Sequence, residues 1–157
     1  MGARGKPRWR GRGRGAQGAA LVEFALVFPV LAMLVLGTVD AGRAYITWNQ
    51  AKNAAREGAS YAQLYPNRPV PGPGECADPD NVRYRAQAES GTEFSISTER
   101  VDVSPAVTLN ACLPASSPTA VRPGDEVRVT ASRSFAPLTP FIHLGSITAD
   151  VTVVVQG

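Results

Sequence analysis

The stretch Gly18-Ala-Ala-Leu-Val-Glu-Phe24, which apolar residues continue to Val39, decides the fold of this chain. Residues 24–39 contain no charged side chain, and the run counted from Ala19 is 21 residues long. At about 1.5 Å per residue, a helix of this length crosses roughly 30 Å of hydrocarbon. The sequence therefore predicts a transmembrane helix over residues 19–39.

One charged side chain, Glu23, lies inside this predicted span. A carboxylate costs about 2.5–3.5 kcal/mol at the middle of a bilayer on insertion scales, and less near its edge. Since Glu23 is close to one end of the span, its side chain could simply reach the interface. Alternatively, cleavage after Gly18 would create an ammonium group on Ala19, which Glu23 of a neighbouring subunit could bind.

The charge distribution predicts the orientation of the span. Six basic residues and no acid precede Glu23, whereas residues 19–157 contain 10 basic and 13 acidic residues, a net charge of −3. A basic leader before an apolar segment predicts a cytoplasmic N-terminus and an extracytoplasmic remainder. The Arg/Gly-rich leader, residues 1–18, is expected to be disordered. An RNA-binding arm is the alternative for its arginine-glycine tract, but the tract is short and adjoins the span, so no nucleic-acid partner is expected.

The helical pattern does not stop where the span ends. Alanines recur at three- and four-residue steps after Asp40, which predicts a soluble continuation of the helix over residues 40–65. Tyr45 and Trp48 fall where amphipathic aromatic residues often mark a membrane interface. Within the span, Pro29 lacks the N–H that a helix requires, so a helix kink is expected there.

The second half of the chain predicts a small β-rich domain. A Pro/Gly-rich connector over residues 66–79 ends the long helix, and a short helix is expected over residues 81–90. Alternating apolar and polar residues then predict strands in the domain that spans residues 80–157, around 94–97, 101–103, 107–111, 127–135 and 147–155. The fold class expected is α+β: a membrane-spanning helix continuing into an extracytoplasmic domain with a small antiparallel sheet, whose buried face packs on the soluble helix.

The residue types that carry chemistry are sparse. Cys76 and Cys112 both follow the span, so a disulfide across roughly 36 residues is expected in an extracytoplasmic domain, with about 3–4 kcal/mol of stabilisation. Two unpaired thiols in a cytosolic domain are the alternative. The single histidine, His143, lies in an apolar loop over residues 137–144. Neither a metal site, a cofactor nor a catalytic motif is predicted, and the chain is not expected to be an enzyme.

The glycine followed at the fifth position by glutamate resembles a type IV prepilin processing site. More closely, the chain resembles the TadE-like proteins of the Flp/Tad pilus system over about residues 15–62. That resemblance rests on the apolar stretch from Gly18 and on a later glycine, acid and Gly-Arg segment. The residues of that segment are Gly37, Asp40, Gly42 and Arg43. The resemblance also rests on an Ala-Ala-Arg-x-Gly-Ala motif, which is Ala54-Ala55-Arg56-Glu57-Gly58-Ala59. The later stretch S-F-A-P-L-T-P-F-I is similar more loosely.

This resemblance implies a minor pilin or pseudopilin, cut between Gly18 and Ala19 by a prepilin peptidase. Glu23 and Phe24 would contact other subunits. The implied partners are other pilins or pseudopilins, Tad membrane platform proteins, the prepilin peptidase and the lipid bilayer. The implied location is the bacterial cytoplasmic membrane, with a single span and incorporation into a surface pilus as a further expectation. Phe24 replaces the tyrosine usual in major pilins, and the long domain also favours a minor component.

Two alternatives remain beside the pilin interpretation. One is an uncleaved, signal-anchored protein whose β-rich domain binds a ligand outside the cytoplasm. The other is secretion of the domain after signal-peptidase cleavage, for which Val39-Asp40-Ala41 is a poor site.

Overall fold

A computed structural model describes residues 14–90, 94–114, 116–117, 119–139 and 145–157. Most of the predicted leader, together with His143 and most of the predicted apolar loop, lies outside the described residues. The chain divides into two compact units, the first ending at Val39 and the second extending from Asp40 to Gly157.

Helix α1 extends over Arg14–Leu64 and contains Pro29. In the part of the chain that the structure describes, it is the one helix long and apolar enough to cross a membrane. Its large apolar side chains before Asp40 are exposed, as expected for a helix whose surroundings are lipid. The helix is continuous on both sides of Pro29, and the kink at this residue stays a prediction.

The second unit contains a four-stranded antiparallel sheet, which confirms the α+β fold class. Its strands are β1 (Ser95–Arg100), β2 (Val107–Thr108), β3 (Glu126–Ser134) and β4 (Ser146–Val154), in the order β2-β1-β3-β4. In the centre, Val129 of β3 lies opposite Thr98 of β1 and Val151 of β4. Alternate residues of β3 are buried, as the period of two in the sequence predicted.

The buried face of the sheet packs on the alanine-rich face of α1, as predicted. One part of the core joins Phe94 and Ala131 to three fully buried alanines of the helix. The other part joins β3 to residues one and two turns later in α1. The helix residues of these two clusters are Ala51, Ala54, Ala55, Ala59 and Ala62. Because each alanine has only a methyl group, the helix backbone can approach the sheet closely.

Gly58 permits the closest of these approaches. A Cβ atom at this position would lie 3.0 Å from Cγ1 of Val129 and 3.1 Å from Cβ of Ala86. Glycine in a helix interior costs roughly 0.5–1 kcal/mol relative to alanine, so its presence here is explained by packing rather than by helix propensity. The small residues of the Ala-Ala-Arg-x-Gly-Ala motif therefore form the part of α1 that packs against the sheet and against the helix that follows the connector.

The second helix, α2, extends over Val82–Ser90, close to the predicted range. The side-chain oxygen of Asn81 accepts a hydrogen bond from the backbone N–H of Tyr84 at 2.8 Å, which is the N-cap arrangement. Between α1 and α2, the connector includes a short 3₁₀ helix, Gly74–Cys76.

One strand prediction was wrong, and another was confirmed over only two residues. The run at 101–103 is not a strand, because β3 begins at Glu126 and offers no further partner after the bond from Val101 N–H to the Glu126 carbonyl. Instead, Asp102 accepts two hydrogen bonds from the Arg100 guanidinium, which lower the pKa of this carboxyl group. The run at 107–111 forms a strand over only two residues, which pair with the end of β1.

Candidate functional site

The predicted processing and assembly residues lie near the beginning of α1. Gly18 and Ala19 are helical and exposed, and no atom lies within 4 Å of the position that a side chain on Gly18 would occupy. Glu23 follows Ala19 by four residues, about 6 Å along a helix axis. Its side chain is exposed as well.

The residues on both sides of Glu23 in the helix are apolar. The neighbouring Phe24 is exposed, and its ring packs against the ring of Phe28 with 5.5 Å between centroids. Among the described residues, Glu23 has no hydrogen-bond or ion-pair partner. A carboxylate in such a position can accept hydrogen bonds from a cation that another molecule supplies.

A second acidic residue, Asp40, has a very different environment. It is only 2% exposed, although it directly follows the apolar run. The backbone N–H groups of Leu138 and Thr139 donate to its two carboxylate oxygens at 2.9 and 2.8 Å. The Thr139 hydroxyl donates at 2.7 Å, and the Arg43 guanidinium donates at 3.1 Å. Asp40 thereby fastens the segment after β3 to the helix; we call this arrangement the Asp40 clamp.

The hydrogen bonds of the Asp40 clamp stabilise the ionised carboxylate. The backbone N–H of Leu138 is the largest influence, followed by an opposing effect of burial and then by the two Thr139 donors and Arg43. Together they lower the pKa of Asp40 from 3.8 to about 2. The carboxylate is therefore charged at any physiological pH, and its negative charge is neutralised locally.

Sequence reasoning did not find the clamp. In the sequence, Asp40 is the residue after the predicted span and one position of the resemblance, but its partners Leu138 and Thr139 lie 98 and 99 residues further along the chain. The signal that was available is a lone acid at the end of an apolar run, together with the second similar stretch around Leu138. No periodicity connects the two.

The predicted disulfide is present and joins Cys76 to Cys112. It ties the connector to the segment that follows β2, and Gly72 packs beside it, where a Cβ atom would lie 3.1 Å from Cβ of Cys112. An adjacent cavity of about 570 Å³ is bordered by Tyr65 and by an ion pair between Arg68 and Glu75 at 2.7 Å. The two charged groups of this cavity thus satisfy each other.

Metal ligands do not converge in the described parts of the chain. No group of three or more His, Cys, Asp or Glu side chains there is arranged to hold a metal ion. The two acidic residues that stand out, Glu23 and Asp40, are far apart in sequence and have no second acid beside them among the described contacts. Asp40 is a site of hydrogen bonding and ion pairing, whereas Glu23 has no such partner among the described residues.

These features define a class of protein: an α+β domain attached to a helix of the kind that anchors proteins in membranes. Residues 18–60 match the family model described as TadE-like protein. This finding confirms the resemblance predicted from the sequence, and the match begins at Gly18 and includes Glu23, Asp40 and Gly58. It falls entirely on α1, so the sheet lies outside it. No curated protein and no solved structure matches the chain.

Proposed function

We propose that this protein is a minor pilin or pseudopilin of a Tad/Flp-type pilus or a related secretion apparatus, processed by a prepilin peptidase after Gly18. One observation carries the proposal: Glu23 is an exposed carboxylate in an apolar helix, five residues after Gly18, and it has no partner among the residues that the structure describes. The match to the TadE-like family over the same stretch supports it. The proposed role is structural, so its chemistry is recognition between subunits.

The proposed contact forms between two processed chains. Hydrolysis of the peptide bond between Gly18 and Ala19 releases the leader and leaves an α-ammonium group on Ala19. This group donates charge-assisted hydrogen bonds to the Glu23 carboxylate of a neighbouring subunit. Pairing removes most of the cost of placing either charge in an apolar environment, and it fixes the axial register of the two helices.

The remaining partners follow from this arrangement. Residues 19–39 lie in the cytoplasmic membrane as a single span, with the N-terminus in the cytoplasm and residues 40–157 outside. The peptidase acts at Gly18, other pilins or pseudopilins pack along the span, and Tad membrane platform proteins drive assembly. The disulfide supports an extracytoplasmic location for the domain, because disulfides persist in oxidising compartments.

The experiment that tests this proposal replaces Glu23 in cells that carry the remaining assembly proteins. Glu23→Gln preserves the size of the side chain and removes its charge. We expect the variant to be inserted and cleaved but absent from sheared pili or from the isolated assembly complex. The matched control is Glu57→Gln on the same helix, which should assemble normally. Normal incorporation of Glu23→Gln would contradict the ion-pair role.

The alternative is an uncleaved, signal-anchored binding protein, and the cavity beside the disulfide is the observation that favours it. Its apolar border and the Arg68–Glu75 pair suit a small amphipathic ligand. On this interpretation Tyr65→Ala would abolish ligand binding, whereas Glu23→Gln would change nothing. The pilin proposal expects Glu23→Gln to prevent assembly and Tyr65→Ala to leave assembly unchanged.

A further inference from the structure

We propose that the second unit has its own membrane contact, formed by Arg43, Arg133 and Leu138, in which the two arginines bind phospholipid phosphate groups and Leu138 enters the acyl boundary. We call these three residues the proximal surface. The proposal rests on the anchoring of residues 19–39 in a bilayer, and it adds a contact that anchoring alone does not require.

The two arginines of the proximal surface converge on one cavity. Arg43 and Arg133 both line a space of about 390 Å³, together with the hydroxyl-bearing Thr47 and Ser134, and no carboxylate is among its lining residues. Arg43 donates one hydrogen bond to Asp40, and its guanidinium lies 5.4 Å from the centre of the Phe135 ring. Among the described residues, Arg133 has no ion-pair partner. Arg43 is paired with Asp40, so the positive charge without a described ion-pair partner in this cavity is that of Arg133, which suits a phosphate group.

An exposed apolar side chain lies beside this charge. Leu138 is 58% exposed, yet the Asp40 clamp holds its backbone N–H at 2.9 Å from a buried carboxylate. More than half of this leucine is therefore left in contact with water, which is unfavourable for apolar surface. The combination of fixed position, apolar tip and adjacent arginines is that of a segment resting on a membrane surface.

The position of these groups in the chain favours lipid over a second protein. Asp40 is the first residue after the apolar run, and Arg43 follows one turn later, about 5 Å along a helix. The headgroup layer on each side of the hydrocarbon is roughly 5–8 Å thick, so a residue this close in the chain to the proposed span is within reach of the phosphates. Each basic residue near an anionic membrane surface contributes attraction that salt weakens.

The first experiment places a single tryptophan in the full-length chain, reconstituted into vesicles that contain lipids with a nitroxide near the top of the acyl chain. Trp9→Phe and Trp48→Phe provide the background. Leu138→Trp should be quenched severalfold more than Val107→Trp. Val107 is 49% exposed and lies in β2, where it pairs with Arg100 at the end of β1. Phe28→Trp reports whether the span itself is inserted.

The possible results distinguish failure of the proximal surface from failure of the membrane anchoring on which the proposal rests. Quenching of Phe28→Trp without quenching of Leu138→Trp would overturn the proximal surface and leave the anchoring intact. Absence of quenching at both positions would overturn the anchoring as well. Quenching of Leu138→Trp that disappears at high protein-to-lipid ratio would show that a second copy of the chain covers this surface, which also contradicts the proposal.

The second experiment tests the phosphate contact. Quenching of Leu138→Trp should be stronger in vesicles of phosphatidylglycerol than in vesicles of phosphatidylcholine, and salt should reduce the difference. Adding Arg43→Gln and Arg133→Gln should remove most of this lipid preference. The matched control is Arg128→Gln, an exposed arginine on the outer side of β3. A lipid preference that survives the double substitution would overturn the role of the two arginines.

Discussion

The two halves of helix α1 have opposite surfaces although they share one secondary structure. Before Asp40, large apolar side chains are exposed on all sides, with Leu21 and Leu26 at 69% and 72%. After Asp40, the apolar residues of one face are small and completely buried against the sheet. The first half therefore depends on an external apolar medium, whereas the second half forms its own core with the β domain.

The acidic residues of the two halves show the same contrast. Asp40 accepts hydrogen bonds from three groups of the 138–139 segment and from Arg43. Glu23 has no partner within the described chain. The domain thus supplies partners for its own buried acid, whereas the described residues supply none for Glu23, and only the proposed function gives it one on another molecule.

Removal of the disulfide should have the largest effect, and it should affect only the second half. Replacing Cys76 and Cys112 by serine should lower the free energy of unfolding of the domain by about 3–4 kcal/mol, because the unfolded chain is no longer constrained. Denaturation of the detergent-solubilised chain, followed by near-ultraviolet circular dichroism, measures this loss. Membrane fractionation serves as the control and should be unchanged. An unchanged midpoint would show that the disulfide adds no stability.

Insertion of one arginine should distinguish the two halves directly. Val30→Arg places a charge in the middle of the apolar run, at a cost of about 2.5–3.5 kcal/mol on insertion scales. Ser60→Arg makes the same change on an exposed face of the second half, where the effect should be within about 0.5 kcal/mol. Carbonate extraction of membranes reports insertion. Equal extraction of both variants and wild type would contradict the assignment of the first half to lipid.

Two glycines of α1 should respond with opposite signs. Gly58→Val forces atoms against Val129 and Ala86, so it should destabilise the domain by about 1–3 kcal/mol. Gly42→Ala meets no atom within 4 Å and should stabilise the helix by roughly 0.5–1 kcal/mol. Both shifts are measured by the same denaturation experiment. A neutral Gly58→Val would mean that the helix does not approach the sheet as closely as the structure shows.

The pH dependence of the Asp40 clamp should be the smallest effect. The pKa of Asp40 falls from 3.8 to about 2 on folding, so its contribution is fully present above pH 4. That contribution should disappear as the pH falls from about 4 to about 2. We expect wild type to be more stable than Asp40→Asn at neutral pH and the difference to vanish near the lower limit. A difference that does not change with pH would assign the effect to packing.

Local periodicity predicted most of the fold. The alanine spacing of α1 and the alternation in β3 and β4 gave elements and a buried face that the structure confirms. The run at 101–103 failed because alternation reports which side chains are apolar, while a strand also needs a partner, and β3 begins at Glu126. Tertiary pairing of this kind is not contained in a short window of sequence.

The candidate sites show the same difference between local sequence patterns and contacts between distant residues. Gly18 and Glu23 can be proposed as a site from the sequence, because the proposed role depends on a separation of five residues in one segment, and that role stays a prediction. The Asp40 clamp was not, because it joins Asp40 to Thr139 across 99 residues, and either residue alone looks ordinary. The proximal surface likewise requires Arg43 and Arg133 to meet in space.

The mature N-terminus tests the central claim most directly. Intact mass and N-terminal sequencing would be applied to the protein from cells that contain the prepilin peptidase. The proposal predicts a chain that begins at Ala19, and it predicts that Gly18→Leu retains the leader while the control Gly15→Leu is processed normally. A mature wild-type protein that retains residues 1–18 would contradict the account, because Glu23 would then lack the ammonium group that it is proposed to bind.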